Sequence, residues 1–226
     1  PSFWNATIFD PFGTNGAGNF GNIVNSAQGT TSGTFVRANN SVGYFLPGNI
    51  GGLYGQVMVA APEGTPGNDY TGFRLGWAGG PVNVAFSAGS TDTVPTKLTH
   101  NSVAGSWNFG FMTLMAQWHE FKAGSIKANP ILIGAVVPLG QGEIHAAFSK
   151  SDQKGPATAA AGLRNADDAD QVAIGYVYNL SKRTAMYGTY ARIKNEGAAS
   201  FAIPGGIGSA AGRNSTGYEV GLRHSF

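Results

Sequence analysis

Beyond residue 33 the chain keeps one rhythm. Apolar and polar residues alternate with a period of two, in segments of about 8 to 13 residues, and turn-rich connections separate the segments. This pattern predicts about eleven β-strands, over 34–46, 53–61, 70–78, 82–89, 99–109, 111–121, 131–139, 143–150, 171–179, 184–194 and 215–226. The connections alternate in length. Short ones such as Ala78-Gly79-Gly80-Pro81 and Gly140-Gln141-Gly142 suit tight hairpins. Long ones are expected over 61–69, 90–98, 122–129, 151–170 and 195–214.

The last segment shows the two faces most clearly. Tyr218, Val220, Leu222, His224 and Phe226 share one side, and Gly217, Glu219, Gly221, Arg223 and Ser225 share the other. Val82, Val84 and Phe86 separate from Asn83, Ala85 and Ser87 in the same way. In a soluble sandwich or a lipocalin-like barrel the polar side carries many charges; here it is mostly Gly, Ser, Asn and Thr. Trp77, Trp107, Tyr178 and Tyr187, all beside short turns, are expected to form an interfacial aromatic girdle.

Composition sharpens the picture. Only 12% of residues are charged, about half the usual share of a soluble domain, and 35 of 226 are glycine. No run approaches the ~18 apolar residues that a membrane helix needs. A membrane-spanning chain of this kind must therefore be a closed barrel, whose ladder satisfies every backbone group. The absence of cysteine excludes disulfides and thiolate metal sites, and a net charge of +2 with no basic run gives no support for nucleic acid. Glycine patterns such as Gly13 to Gly21 lack the Lys-Ser/Thr ending of a phosphate loop, and no nucleophile elbow or zinc-protease motif occurs. Neither an enzyme nor a cofactor is expected. His100, His119 and His145 lack metal-type spacing, and Asp167, Asp168 and Asp170 are read as a solvated loop rather than a cation site.

Two segments carry a family resemblance. The end, Tyr218-Glu219-Val220-Gly221-Leu222-Arg223-His224-Ser225-Phe226, resembles the carboxyl-terminal signal that the barrel-assembly machinery reads. The run Arg37-Ala38-Asn39-Asn40-Ser41-Val42-Gly43-Tyr44 is similar to one that follows the constriction loop in the trimeric general diffusion porins of β-proteobacteria. Gly43 stands where that group commonly has arginine. The resemblance implies an all-β, antiparallel, up-and-down transmembrane barrel of about 16 strands, of which residues 34–226 supply the last eleven or so. Residues 1–33 would be a constriction loop folded into the lumen, anchored by Phe3, Trp4, Phe9 and Phe12. About five amino-terminal strands would then lie in a separate or unshown segment. A homotrimer in the outer membrane of a Gram-negative bacterium, contacting lipopolysaccharide and phospholipid, is also implied.

Such a protein works by passive electrostatic sieving. With Phe226 facing lipid and the apolar residues setting parity in each strand, the inward charges expected are Arg37, Arg74, Arg192, Lys194 and Arg223 against Glu143 and Glu219, with Tyr54, Tyr70 and Tyr190 also inward. Between Pro1 and Val36 the sole charge is Asp10, which the resemblance sets across the constriction from the basic wall. These residues point to a channel that prefers anions. Two other readings stay open, a porin specific for an anionic or sugar solute and, more remotely, a barrel enzyme. Arg223 and Glu219 could instead pair within the wall, and Arg192 and Lys194 could serve the outer mouth or lipopolysaccharide phosphate.

Overall fold

The computed structural model describes residues 1–14, 16–27, 36–62, 64, 69–92, 96–155, 165, 167–205 and 210–226, leaving aside the side chains of 25–27. Among the described residues eleven strands follow one another: β1 (Ser41–Phe45), β2 (Leu53–Ala60), β3 (Tyr70–Gly79), β4 (Val82–Asp92), β5 (Lys97–Asn108), β6 (Thr113–Ala123), β7 (Ile126–Leu139), β8 (Gly142–Lys154), β9 (Ala169–Asn179), β10 (Thr184–Asn195) and β11 (Ser215–His224). All pair antiparallel with their sequence neighbours in one sheet of order β1 to β11, an up-and-down meander with β1 and β11 at its edges.

Each expected strand is present, and the deviations have local causes. The first expected strand began at residue 34; 34 and 35 lie outside the described residues, and regular pairing starts only at Ser41. Asn40 adopts a left-handed backbone (φ 49°), which ends the ladder before Arg37 is reached. Strand β7 starts five residues before the expected Ile131 and runs through Pro130, a residue that normally avoids central strands. The structure accommodates it by a gap: the β6–β7 ladder resumes at Phe121 opposite Ala128 after Trp118 opposite Ile131, while Pro130 stays opposite Ser151 in β8. The expected long loop 122–129 is consequently a tight turn at Gly124 (φ 62°).

The sheet is apolar on its outer side. Val57, Val59, Phe73, Leu75, Val84, Phe86, Ile133, Phe148, Val172 and Ile174 are all exposed, an arrangement stable only against lipid. Trp77, Trp107 and Tyr178 are exposed on that side near the short turns, as the girdle requires. Tyr187 is a correction. It faces inward, where its ring covers Gly221, because β10 alternates with Ala185, Thr189 and Ala191 on the inner side.

Residues 1–14 and 16–27 lie against the inner face and include two short helices, α1 (Phe3–Ile8) and α2 (Gly21–Ala27). A local apolar cluster fixes α2: Phe20, Ile23 and Val24 are buried among Phe121, Leu132, Ile193, Phe201 and Ile203. Phe9 packs separately against Ala85, Ala104 and Tyr54. Phe3 and Phe12 flank the larger cluster. Trp4 does not anchor the segment, being 48% exposed.

Inner-face glycines are covered by aromatic rings, Gly72 and Gly89 by Tyr70 and Gly76 by Tyr54. A side chain there would collide with the ring. Gly72→Val is expected to cost roughly 1–3 kcal/mol through overpacking, read as a lower temperature for the shift from folded to unfolded migration on unboiled gels.

Candidate functional site

Strand β3 places Tyr70, Gly72, Arg74 and Gly76 inward and Thr71, Phe73, Leu75 and Trp77 outward. Arg74 therefore reaches the inner segment, as its parity predicts. Its Nε donates to Asn5 Oδ1 at 2.6 Å, one Nη donates to the Tyr54 hydroxyl at 3.3 Å, and the guanidinium lies 4.7 Å from the Tyr54 ring centroid. Tyr54 in turn donates to Asn83 Oδ1 at 2.6 Å. Every one of these partners is neutral, and among the described residues no carboxylate pairs with Arg74. The cation is held in position without being neutralised.

Asp10 departs from the expectation. Its carboxylate is turned into its own segment, Oδ1 accepting from the Phe12 N–H at 2.9 Å and Oδ2 from the Phe20 N–H at 2.7 Å. It is a buried staple that closes the 10–20 turn, not an acid facing the basic wall. Burial pushes its carboxyl up to about 7, against the two backbone donors, which pull it down.

The remaining charges divide by face. Strand β10 directs Ala185, Tyr187, Thr189, Ala191, Ile193 and Asn195 inward, so Arg192 and Lys194 point outward together with Met186 and Tyr190. The inward assignment of Arg192, Lys194 and Tyr190 is thus corrected. Both faces of β10 mix polar and apolar residues, and the inner one is apolar at its outer end because Ile193 packs against Phe201 and Ile203. Lys194 pairs with Glu196 at 2.7 Å. Glu219 faces Gly16 of the inner segment, and Glu219 and Arg223 both border an open space of about 880 Å³ shared with Phe12, His145 and Tyr187. Among the described residues those two do not form an ion pair with each other. Arg37 stands exposed ahead of β1.

What clamps the inner segment is mostly neutral, and the sequence did not mark its glutamine and asparagine members. His119 Nε2–H donates to Gln117 Oε1 at 2.7 Å, leaving Nδ1 to accept from His100 Nε2–H at 2.8 Å. Gln117 passes the chain on to the Phe9 carbonyl at 3.2 Å. Gln171 donates to the carbonyls of Gly18 and Asn19, both at 3.0 Å, and Asn5 donates to Ser102 at 2.9 Å. His145 bridges the Pro11 carbonyl and Glu143 Oε1, the latter at 2.9 Å. Glutamines on a polar strand face look like any wall residue, so only the period-two parity could have marked them. Among the described residues no group of three His, Asp or Glu side chains could hold a metal ion. Asp167 and Asp168 accept instead from the Ala198 and Gln153 amides, pinning the outer loops.

A meander apolar on its outer side and polar and charge-bearing on its inner side, with an inner segment packed against it, has the architecture of a transmembrane β-barrel channel. The comparisons with known proteins give its family. The Gram-negative porin family matches residues 2–198. Outer membrane porin protein 32 of Delftia acidovorans is 32% identical over 247 residues, covering 100% of this chain and 68% of that protein. The solved anion-selective porin from Comamonas acidovorans superposes with a TM-score of 0.85 at 32% identity, over 100% of this chain and 71% of that one. OmpT of Vibrio cholerae in its trimer form shares the fold, with a TM-score of 0.65 at 12% identity, over 86% of this chain and 67% of its own. The chain belongs to the Gram-negative porin family. It is a passive diffusion channel of the outer membrane, not an enzyme.

The Asp10 staple has a measurable consequence. The folded carboxyl holds its proton up to about pH 7, whereas an unfolded aspartate loses it near ~3.9. Its contribution is therefore complete at low pH and declines as pH rises through 7. Amide exchange of residues 10–20 is expected to quicken between pH 5 and pH 8 beyond the intrinsic rate, at roughly those values. In Asp10→Ala that extra dependence should vanish, with exchange fast throughout because two buried donors lose their acceptor.

Proposed function

We propose that the channel prefers anions, and that the inner segment, expected over residues 1–33, narrows it as a constriction loop. One observation carries this reading. Arg74 projects from the wall into that segment with neutral partners alone, while Asp10, the segment's single acid, is buried in its own backbone. A fixed, unneutralised cation in a narrow low-dielectric passage raises the local concentration of anions and repels cations. The related porin of Comamonas acidovorans is described as anion-selective, which supports the same sign.

Arg223 lines the open space beside the loop and adds to the positive wall, with Glu219 partly offsetting it. Arg37, exposed ahead of β1, is proposed as a further cation of the constriction once the barrel is complete. Closure requires partners for the free edges of β1 and β11, since open edges are not tolerated in lipid. Roughly five further strands would fill that gap. Assembly as a homotrimer and recognition of the Phe226 end by the assembly machinery complete the reading, the first supported by the trimer form of OmpT.

Reversal potentials of the purified channel in a salt gradient test it. Anion preference is expected in the parent protein, and Arg74→Gln should cut the anion-to-cation permeability ratio several-fold. Arg192→Gln, altering an outward cation, should leave the ratio unchanged. Cation preference in the parent would reverse the assignment.

A further inference from the structure

Strand register sets five polar residues side by side on the inner face: Gln56 of β2, Arg74 of β3, Ser87 of β4, Ser102 of β5 and His119 of β6. All five are buried. Helix α1 packs on β4 and β5 in the middle of this row, and its Asn5, also buried, reaches two members at once. Asn5 Nδ2 donates to Ser102 Oγ at 2.9 Å, so the amide oxygen is turned to Arg74, whose Nε donates to it at 2.6 Å. Ser102 shares a further bond of 2.6 Å with Ser87, which holds the hydroxyl that aims the amide.

The choice of neighbours around the cation runs against stability. A buried arginine has lost water, and a carboxylate beside it is the ordinary compensation. Two positions could supply one with no change of shape. Asn5 touches the guanidinium, and Gln56 stands directly opposite Arg74 on the adjacent strand, within ordinary cross-strand reach. Each holds the neutral amide that has the outline of the acid. Hydrogen bonding does not demand the amide at position 5, because a carboxylate there would accept from Arg74 and from a turned Ser102 hydroxyl. Charge alone separates the two forms. A stabilising charge pair forgone at both places, with no structural return, is the mark of a functional position.

Resting on the anion-selective reading, we propose that Asn5 and Gln56 are specificity-determining residues of the channel, whose amides hold and flank Arg74 while leaving its charge uncompensated. An acid at either place would close that charge into an internal ion pair. Asn5 acts in two ways, positioning the guanidinium through the Ser102 and Ser87 relay and withholding a negative charge from it. Gln56 acts only in the second way. The sign of the channel thus resides in the neutrality of the arginine's neighbours as well as in the arginine.

The test compares the complete channel with N5D, N5A, Q56E and R74Q, each checked for heat-resistant migration and read by reversal potential in a potassium chloride gradient. N5D is expected to lower the anion-to-cation permeability ratio several-fold, as far as R74Q does. Q56E should give a smaller loss in the same direction. N5A loosens the arginine without adding a charge, so its loss should be clearly smaller than that of N5D. A parent ratio retained in folded N5D, or a loss in N5A equal to that in N5D, would overturn the proposal. If N5D yields no heat-resistant barrel, Q56E, which alters the wall and not the inner segment, decides by the same comparison. Should R74Q itself keep the parent ratio, it is the reading of Arg74 as the selective charge that fails, and the two failures are told apart.

Discussion

The backbone's need for hydrogen-bond partners in a medium that offers none governs this molecule. In hydrocarbon each unpaired N–H or C=O costs several kcal/mol, so every strand must lie between two others, and the meander meets that demand with neighbours in sequence order for β2 to β10. The hydrophobic effect then acts in reverse of its role in a soluble protein. Valines, phenylalanines and isoleucines are turned out to lipid, and the interior is left to residues that can bond to water or to one another.

That interior is still not a uniform aqueous lining. Two kinds of contact hold the inner segment against it. Toward the outer ends of β6 to β10 a small apolar cluster encloses Phe20, Ile23 and Val24. Elsewhere directed hydrogen bonds from Gln117, Gln171, His145 and Asn5 fix main-chain carbonyls or neighbouring side chains. A segment clamped at many points is held in one position against the wall. Asp10 belongs to this clamp, since its two acceptor oxygens close the turn between Phe12 and Phe20.

Electrostatics is distributed by face. Arg74, Glu143, Glu219 and Arg223 point to the lumen, whereas the outer rim gathers Lys122, Lys127, Lys150, Lys154, Arg192 and Lys194 on the lipid side with several carboxylates among them. The first set faces the side that holds the inner segment. A modest net charge of +2 for the whole chain conceals this separation.

The sequence by itself determined the number of strands, their order and the lipid-facing side of most strands, because a period of two along a chain with few charges admits no other membrane-spanning solution. It also placed Arg74, whose neighbours Phe73 and Leu75 set the parity without ambiguity. Only the tertiary structure decided the rest. β10 carries mixed residues on both faces, so the orientation of Arg192, Lys194, Tyr187 and Tyr190 depended on the packing of Ile193 beneath the outer loops. Asp10 looked like a pore charge because local sequence says nothing of which N–H groups a folded turn will bring to a carboxylate. Gln56, Arg74, Ser87, Ser102 and His119 are far apart along the chain, and strand register alone makes them neighbours.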